Sequence, residues 1–463
     1  MKRRTFEPLG FARNRAPGTA AWALAAALML LCLLCYNYTD IQLIARHAMN
    51  LWDVLGRGEP LTFYHTGTQL SIGQSVQHTG EVPYDIWVYL PFAVWDLPVY
   101  IWEKITGLTF ETNALALLWI RSCTLVPFAG ALWALDGIGR DLGQGEERRG
   151  WAGFLFASSL FVFNGMFCVG QIDIFNTFFT LMGLRAYLAR RHRAFVAWFA
   201  LAVTFKTFGL FVFLPLVLLR EKRVWAVARD VALACVLTAA SKLLFLADKL
   251  QTPTGFDENR FLAGALSRAL ELGDTRLPLL ALFVPALWVF CWLLPWQRGQ
   301  DPRWAAWACL AGYASLFLSA NVCPYWEVLL APCAALLWLT GAGADGRLVA
   351  LDTLCGAAFF GRSVLNLARL YGTGTIRWSV LGALVPREEN TLLERAVQAV
   401  RDPLLPLAEA VCFVLLAAMT IRFLPLWAKE TDGPQAACRE WLWLRLAALA
   451  AFVLVPVAAY LIG

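Results

Sequence analysis

The chain has 463 residues, 59% of them hydrophobic and 16% charged, and its mean hydropathy is +0.58. A soluble domain carries roughly a quarter charged residues, so this composition excludes a soluble globular protein and points to an all-α, polytopic membrane protein. The formal net charge of +6 comes from short Lys/Arg clusters that form no stripe, which leaves no reason to expect a nucleic-acid partner.

From the N-terminus, a basic head (MKRRTFEPLGFARNR, 1–15) precedes an apolar run from about Ala20 to Leu34. With its long apolar part and no clear cleavage site, this reads as a retained signal-anchor with residues 1–18 in the cytoplasm. The run ends in a Tyr/Asn/Tyr belt followed at once by Asp40. A large first extracytoplasmic loop (39–112) then carries Arg46, His47, Asp53, Arg57, Glu59 and His65. Within it, residues 84–107 have the length of one span but are interrupted by Pro91, Asp96 and Pro98. Charge parity with the Arg-bearing turn at 136–150 makes this stretch interfacial or re-entrant.

Spans are predicted at about 113–135, 151–168 and 171–190, the last opening with GQID. The run at 194–219 is bracketed by RRHR and REKR, so it should enter and return as a short hairpin bent near Lys206 and Gly209. Further spans are expected at about 226–247, 278–296, 304–320, 326–340, 348–368, 404–424 and 443–462. The total is about eleven full spans plus the hairpin. The outer loop at 370–403 contains Arg377, Arg387, Arg395 and Arg401, an excess that strains the positive-inside rule. Its pattern suggests an amphipathic surface helix. Most of the twelve Cys fall inside apolar runs, where a thiol behaves as a small hydrophobe, and no pair has zinc spacing.

Few residues are candidates for chemistry. Asp40 is either a general base (or metal ligand) facing outer solvent, or a residue that merely ends the first helix. His47, His65 and His78 either gather a metal with the loop acids or are solvent-exposed loop residues, and their spacing matches no tight ligand motif. A divalent metal is thus conceivable but not indicated, and no cofactor is required. Gln171 and Asp173 open a span on the Asp40 side, and a carboxylate there needs a partner or water. Lys206 stands in an apolar run and needs an anion, either a lipid phosphate or Asp173. For Lys242, Arg362 and Arg369 snorkelling to headgroups is the default. Asn321, Tyr325, Trp326 and Glu327 stand where a sugar could stack and hydrogen-bond, although an aromatic belt explains Tyr and Trp equally well.

Several of these features occur in an order that resembles the GT-C superfamily of membrane glycosyltransferases. They are the acid just past the first helix (TDIQ, 39–42), the GEP element (58–60), GQID before a basic turn, the FK bend before a Pro-containing helix, and the PYW…P turn (324–332). The resemblance covers roughly 20–340. It implies a catalytic module at 19–340, followed by a C-terminal transmembrane region at 341–463. It implies transfer of a single sugar, a hexose with mannose foremost, from a polyprenyl-phosphate donor to a hydroxyl of a lipid- or glycan-linked acceptor. Transfer would occur on the extracytoplasmic face of a membrane, bacterial inner membrane in preference to endoplasmic reticulum. Asp40 falls on the family's first-loop catalytic acid, Asp173 on its second outer acid, and Lys206 near the lipid phosphate. The acid pair usual after the first helix is missing, and no WWD-type element is present. The competing readings are a transporter or flippase of lipid-linked glycans, and a polymerase or ligase of them.

Overall fold

The computed structural model describes residues 17–70, 82–251, 263–341, 346–426 and 438–463. It is all-α and about 81% helical. Among the described residues, five helices are long and apolar enough to cross a membrane: Ala114–Asp141, Glu146–Cys168, Gly346–Asn366, Leu392–Arg422 and Glu440–Ile462. The count rises to seven if two bent pairs each make one span, Thr19–Cys35 with Thr39–Gly56 and Val224–Ala234 with Val236–Leu244. The other spans expected among the eleven fall on shorter helices, such as Asp173–Leu188 and Leu279–Leu293.

The first helix stops where the aromatic belt begins, and the backbone of Tyr36 to Tyr38 is extended. Asn37 fixes the break from outside: its backbone N–H donates to the Thr375 carbonyl (3.1 Å) and its side-chain amide to that of Trp378 (3.2 Å). The chain then turns by 68° into the helix Thr39–Gly56. The expected outer loop at 39–112 is therefore corrected at its start, because residues 39–56 form an amphipathic helix. Ile41, Ile44, Ala45, Ala48 and Leu51 are buried on its apolar face, at the spacing that a 3.6-residue period requires. Its charges are matched locally. Arg46 pairs with Glu103 (3.0 Å) and Glu111 (3.2 Å), and Asp53 pairs with Lys104 (2.8 Å).

Residues 84–107 resolve into two ten-residue helices, Ile86–Trp95 and Leu97–Thr106, divided at Asp96. Each is about 15 Å long, half the thickness of a bilayer core, so neither crosses alone. The break expected near Lys206 falls on that residue. The helix His192–Phe205 ends there in extended backbone (φ −155°, ψ 119°), a single turn Thr207–Gly209 follows, and Leu210–Arg220 resumes the helix.

Two elements were not foreseen. β1 (Ala269–Leu272) and β2 (Thr275–Pro278) form an antiparallel hairpin. Its two-residue turn places Gly273 at φ +59°, the position that glycine favours in such turns. The predicted surface helix in 370–403 is instead the opening of one 31-residue helix, Leu392–Arg422. At about 46 Å it exceeds a bilayer core of roughly 30 Å, so its first turns project beyond the apolar layer. A capping box starts it, with Thr391 and Glu394 bonding each other's backbone N–H. Glu394 also accepts from the Thr373 N–H (2.6 Å) and hydroxyl (2.8 Å), which ties residues 368–376 to this helix.

Candidate active site

The site forms where the 68° bend meets the start of helix Asp173–Leu188 and the break at Lys206. Asp40 lies in the first turn of its helix, where the exposed N–H groups and the dipole favour an anion. It does not end the first helix, as the alternative reading had it. The Gln171 side-chain amide donates to Asp40 Oδ2 at 2.8 Å. Gln171 reaches it because Gly170 adopts φ +76°, turning the chain between the irregular helical turn Phe163–Cys168 and the helix that starts at Asp173.

Asp173 and Lys206 face each other, with Nζ 3.0 Å from Oδ1 and side-chain exposures of 0% and 9%. Of the two anions considered for Lys206, Asp173 is the one that contacts it. The ammonium also lies 3.9 Å from the centre of the Trp326 ring, a favourable cation–π distance. Asn176, one turn beyond Asp173, holds the break. Its amide donates to the carbonyls of Ala202 (2.8 Å) and Lys206 (3.0 Å), and its oxygen accepts from the Tyr313 hydroxyl (2.9 Å). Both carbonyls also keep a backbone partner, Ala202 the Lys206 N–H and Lys206 the Gly209 N–H (3.0 Å each), so Asn176 adds a second donor to each and ties the break to the helix Asp173–Leu188. The sequence reading passed over Asn176, and only the need of a broken helix for such a donor could have signalled it.

Tyr84 and Cys323 lie within electrostatic reach of both Asp40 and Asp173. The Tyr325 ring stands 6.0 Å from that of Tyr38. Tyr325 approaches closely because Gly165 lacks a side chain, where a Cβ would lie 2.5 Å from the Tyr325 carbonyl oxygen. Asp40, Gln171, Asp173, Lys206, Tyr325 and Trp326 are thus brought together.

The remaining candidates are not. His47 is wholly buried, its ring edge-on to Tyr89 at 5.7 Å and against Gly67. It is neither a solvent-exposed loop residue nor accessible to a substrate, because the amphipathic helix turns it inward. His65 is exposed beside Gln69 (3.0 Å), with its backbone bonded to Asp248. His78 lies outside the described residues. Among the described residues no three His, Cys, Asp or Glu side chains are grouped to hold a metal, His47 and His65 included. Asn321 is exposed at the edge of the turn. Arg362 does not snorkel. It is 4% exposed and pairs with Glu327 (3.6 Å) and Glu409 (3.4 Å). Glu327 is itself buried, accepting from Asn164 (2.9 Å) and Ser363 (3.4 Å), and is not presented to a sugar.

An acid fixed by an amide, beside a buried acid–ammonium pair under an aromatic ring, can accept a proton while a neighbouring cation receives an anion. Comparison with known families agrees with such chemistry. The profile of glycosyltransferase family 87 matches residues 86–320, a stretch that includes Gln171, Asp173 and Lys206 and begins after Asp40. No curated protein matches the chain. The chain belongs to glycosyltransferase family 87, a GT-C-type family of integral membrane glycosyltransferases.

Proposed function

We propose that this glycosyltransferase moves a single hexose, mannose foremost, from a polyprenyl-phosphate donor to a hydroxyl of a lipid- or glycan-linked acceptor. The reaction takes place on the extracytoplasmic face, bacterial inner membrane in preference to endoplasmic reticulum, with residues 1–18 in the cytoplasm and about eleven passes through the bilayer. One observation carries the reading: Asp40, oriented by Gln171, stands in the same cluster as the Asp173–Lys206 pair. The acceptor hydroxyl attacks the anomeric carbon, and its proton passes to the Asp40 carboxylate. The bond from that carbon to the phosphate oxygen breaks, and the polyprenyl phosphate departs with the electron pair. Lys206 supplies positive charge to the leaving group, and Asp173 holds the ammonium in place. Asp173 acts through Lys206 and is a positioning residue in this scheme. Tyr325 and Trp326 offer aromatic faces on which a sugar ring can rest.

The test is Asp40→Asn in purified protein, assayed with mannose, glucose, galactose and arabinose forms of a polyprenyl-phosphate donor. Asn keeps the shape and the bond to Gln171 but cannot take the proton. Loss of general-base assistance lowers turnover about 10²–10⁴-fold with melting close to the parent. Activity within a few-fold of the parent would remove Asp40 from the mechanism.

A further inference from the structure

A second polar space opens beside Asp40. It is a cavity of about 760 Å³ whose wall includes Tyr38 and Thr39, the two residues before Asp40, together with Tyr325. Its opposite wall comes from the C-terminal part of the chain, beyond the stretch matched by the family profile. That wall carries three guanidinium groups, Arg369, Arg377 and Arg401. No Asp or Glu lines the cavity among the described residues. Tyr325 and Trp326 are successive residues with separate duties, since Tyr325 borders this cavity while the Trp326 ring lies under Lys206.

The three arginines are not neutralised as the chain's buried cations are. Arg377 reaches Glu388 at 3.0 Å, but that carboxylate is 83% exposed and lies outside the cavity. Among the described residues the Arg401 side chain has one polar partner, the Asn366 amide oxygen at 3.4 Å. The Arg369 side chain has no hydrogen-bond or ion-pair partner among the described residues. The wall is also held in place. Asn37 binds the carbonyls of Thr375 and Trp378, and Glu394 binds Thr373, so the arginine-bearing segment is fastened to both the 68° bend and the helix that carries Arg401. Arg377 and Arg401 are two of the four arginines that strain the positive-inside rule when the loop is counted as extracytoplasmic, and an anion-binding duty accounts for the presence of these two.

We infer that this cavity is the acceptor site and that the acceptor bears an anionic group, a phosphate or a carboxylate, which Arg369, Arg377 and Arg401 bind next to Asp40. The inference rests on the proposed sugar transfer for the word acceptor. The volume falls within the range of sites that enclose a small ligand. Tyr38 and Tyr325 supply faces for a sugar ring, and the guanidinium groups supply the planar donor geometry suited to phosphate and carboxylate. A donor phosphate at Lys206 and an acceptor anion at the arginines would give the two reactants separate counter-charges near one base.

The experiment measures binding and does not depend on turnover. Full-length protein in phosphatidylcholine nanodiscs is titrated with mannose 6-phosphate and with mannose. The phosphorylated sugar should bind at least about tenfold more tightly, which corresponds to one charge-assisted contact. Arg369→Gln/Arg401→Gln should lose that preference, Arg369→Lys/Arg401→Lys should keep part of it, and Asp40→Asn and Lys206→Met should retain it. In the parent, 1 M salt should abolish it, a check that holds even if the double Gln variant folds poorly. Equal binding of the two sugars by the parent would overturn the inference. Displacement of mannose 6-phosphate by farnesyl phosphate would instead make the cavity a donor-phosphate site, and loss of binding in phosphatidylglycerol nanodiscs would make it a lipid-headgroup site. Either result also overturns it. A fully active Asp40→Asn enzyme would refute the base while leaving these titrations unchanged, so the two failures are distinguishable.

Discussion

Replacing Lys206 with Met removes one half of a pair that is almost wholly out of contact with solvent. The partner, Asp173, is 0% exposed at its side chain, and the two charged atoms are 3.0 Å apart. Breaking such a pair from one side typically costs about 3–5 kcal/mol, because the remaining charge is left desolvated. An independent bound gives the same size. Asp173 can escape ionisation by taking a proton, and protonating an ordinary carboxyl at pH 7 costs about 4 kcal/mol. The Trp326 contact at 3.9 Å adds on the order of 1 kcal/mol. Lys206→Met should therefore lower stability by about 4–5 kcal/mol, the sum of the protonation cost and the ring contact. Asp173→Asn/Lys206→Met, which removes both charges, should recover most of that loss.

Thermal melting in detergent at one fixed scan rate checks the stability half, since such transitions are often irreversible. Turnover and KM for the polyprenyl-phosphate donor check the functional half. The double variant should fold like the parent yet stay far less active than Asp173→Asn alone, because only the double variant lacks the ammonium that receives the phosphate. A Lys206→Met protein that melts like the parent would refute the pairing argument. A double variant as active as Asp173→Asn would show that Lys206 serves only to neutralise Asp173, and the phosphate would need another cation.

Reporters fused after Gly107 and after Gly145 should lie on opposite sides, outer and cytoplasmic respectively; a cytoplasmic Gly107 would require re-threading every later span. Asp96 is 0% exposed and neither carboxyl oxygen has a hydrogen-bond partner among the described residues, and burial pushes its carboxyl up to about 8. Its folded value lies above the ordinary value of about 3.9, so the folded state holds the extra proton. Stability should fall as pH rises from about 4 to about 8, at up to about 1.4 kcal/mol per unit. Asp96→Asn should flatten that slope, and parallel melting curves for the two proteins between pH 5 and 8 would contradict the burial account. Asn176→Ala removes the side-chain donor to the carbonyls of Ala202 and Lys206, which keep their backbone partners, and takes the 2.9 Å acceptor from the Tyr313 hydroxyl. The loss should be about 1–3 kcal/mol, with reduced turnover from a poorly held Lys206, and unchanged melting would mean that water replaces the amide.

The charged candidates were legible because an ionisable group in an apolar run demands a partner whatever the fold. Lys206 was legible this way, whereas the break beside it was legible from the basic clusters RRHR and REKR on both flanks of one apolar run. Which anion would meet it was not legible, since a phosphate and Asp173 satisfy the same electrostatic need, and only the three-dimensional arrangement brings Asp173 to 3.0 Å. The same logic misled at Arg362. Snorkelling and burial with acids both stabilise an arginine near a span end, and Glu327 and Glu409 are distant in sequence, so nothing local distinguished the two. The segment after Asp40 was misread for a different reason. Its charges drew attention away from the period of Ile41, Ile44, Ala48 and Leu51, which marks an amphipathic helix and turns His47 inward. The hairpin at Ala269–Pro278 carried a glycine turn but little alternation, since most of its strand residues are exposed.

The distribution of charge explains why the site sits where it does. Within the helical body, cations are consumed by neighbours. Arg445 is bound to Asp352, Ser158 and the Leu155 carbonyl, Arg362 to two glutamates, and Arg121 to carbonyls at the end of the first helix and at Phe167. Low dielectric makes each of these pairings obligatory, so none of them is available to an anionic substrate. Lys206 is bound as well, but by a single carboxylate and a ring face, and it keeps 9% of its side chain exposed. An ammonium has three donors, so it can retain Asp173 and still accept a phosphate oxygen. The arginines of 369–401 stand at the other extreme, with wet surroundings and little local neutralisation. Asp40 is near the cation that is held rigid and partly used, and its neighbour Thr39 lines the cavity of the cations that are available. In the proposed transfer, that arrangement lets two anionic reactants approach one base without competing for the same counter-charge.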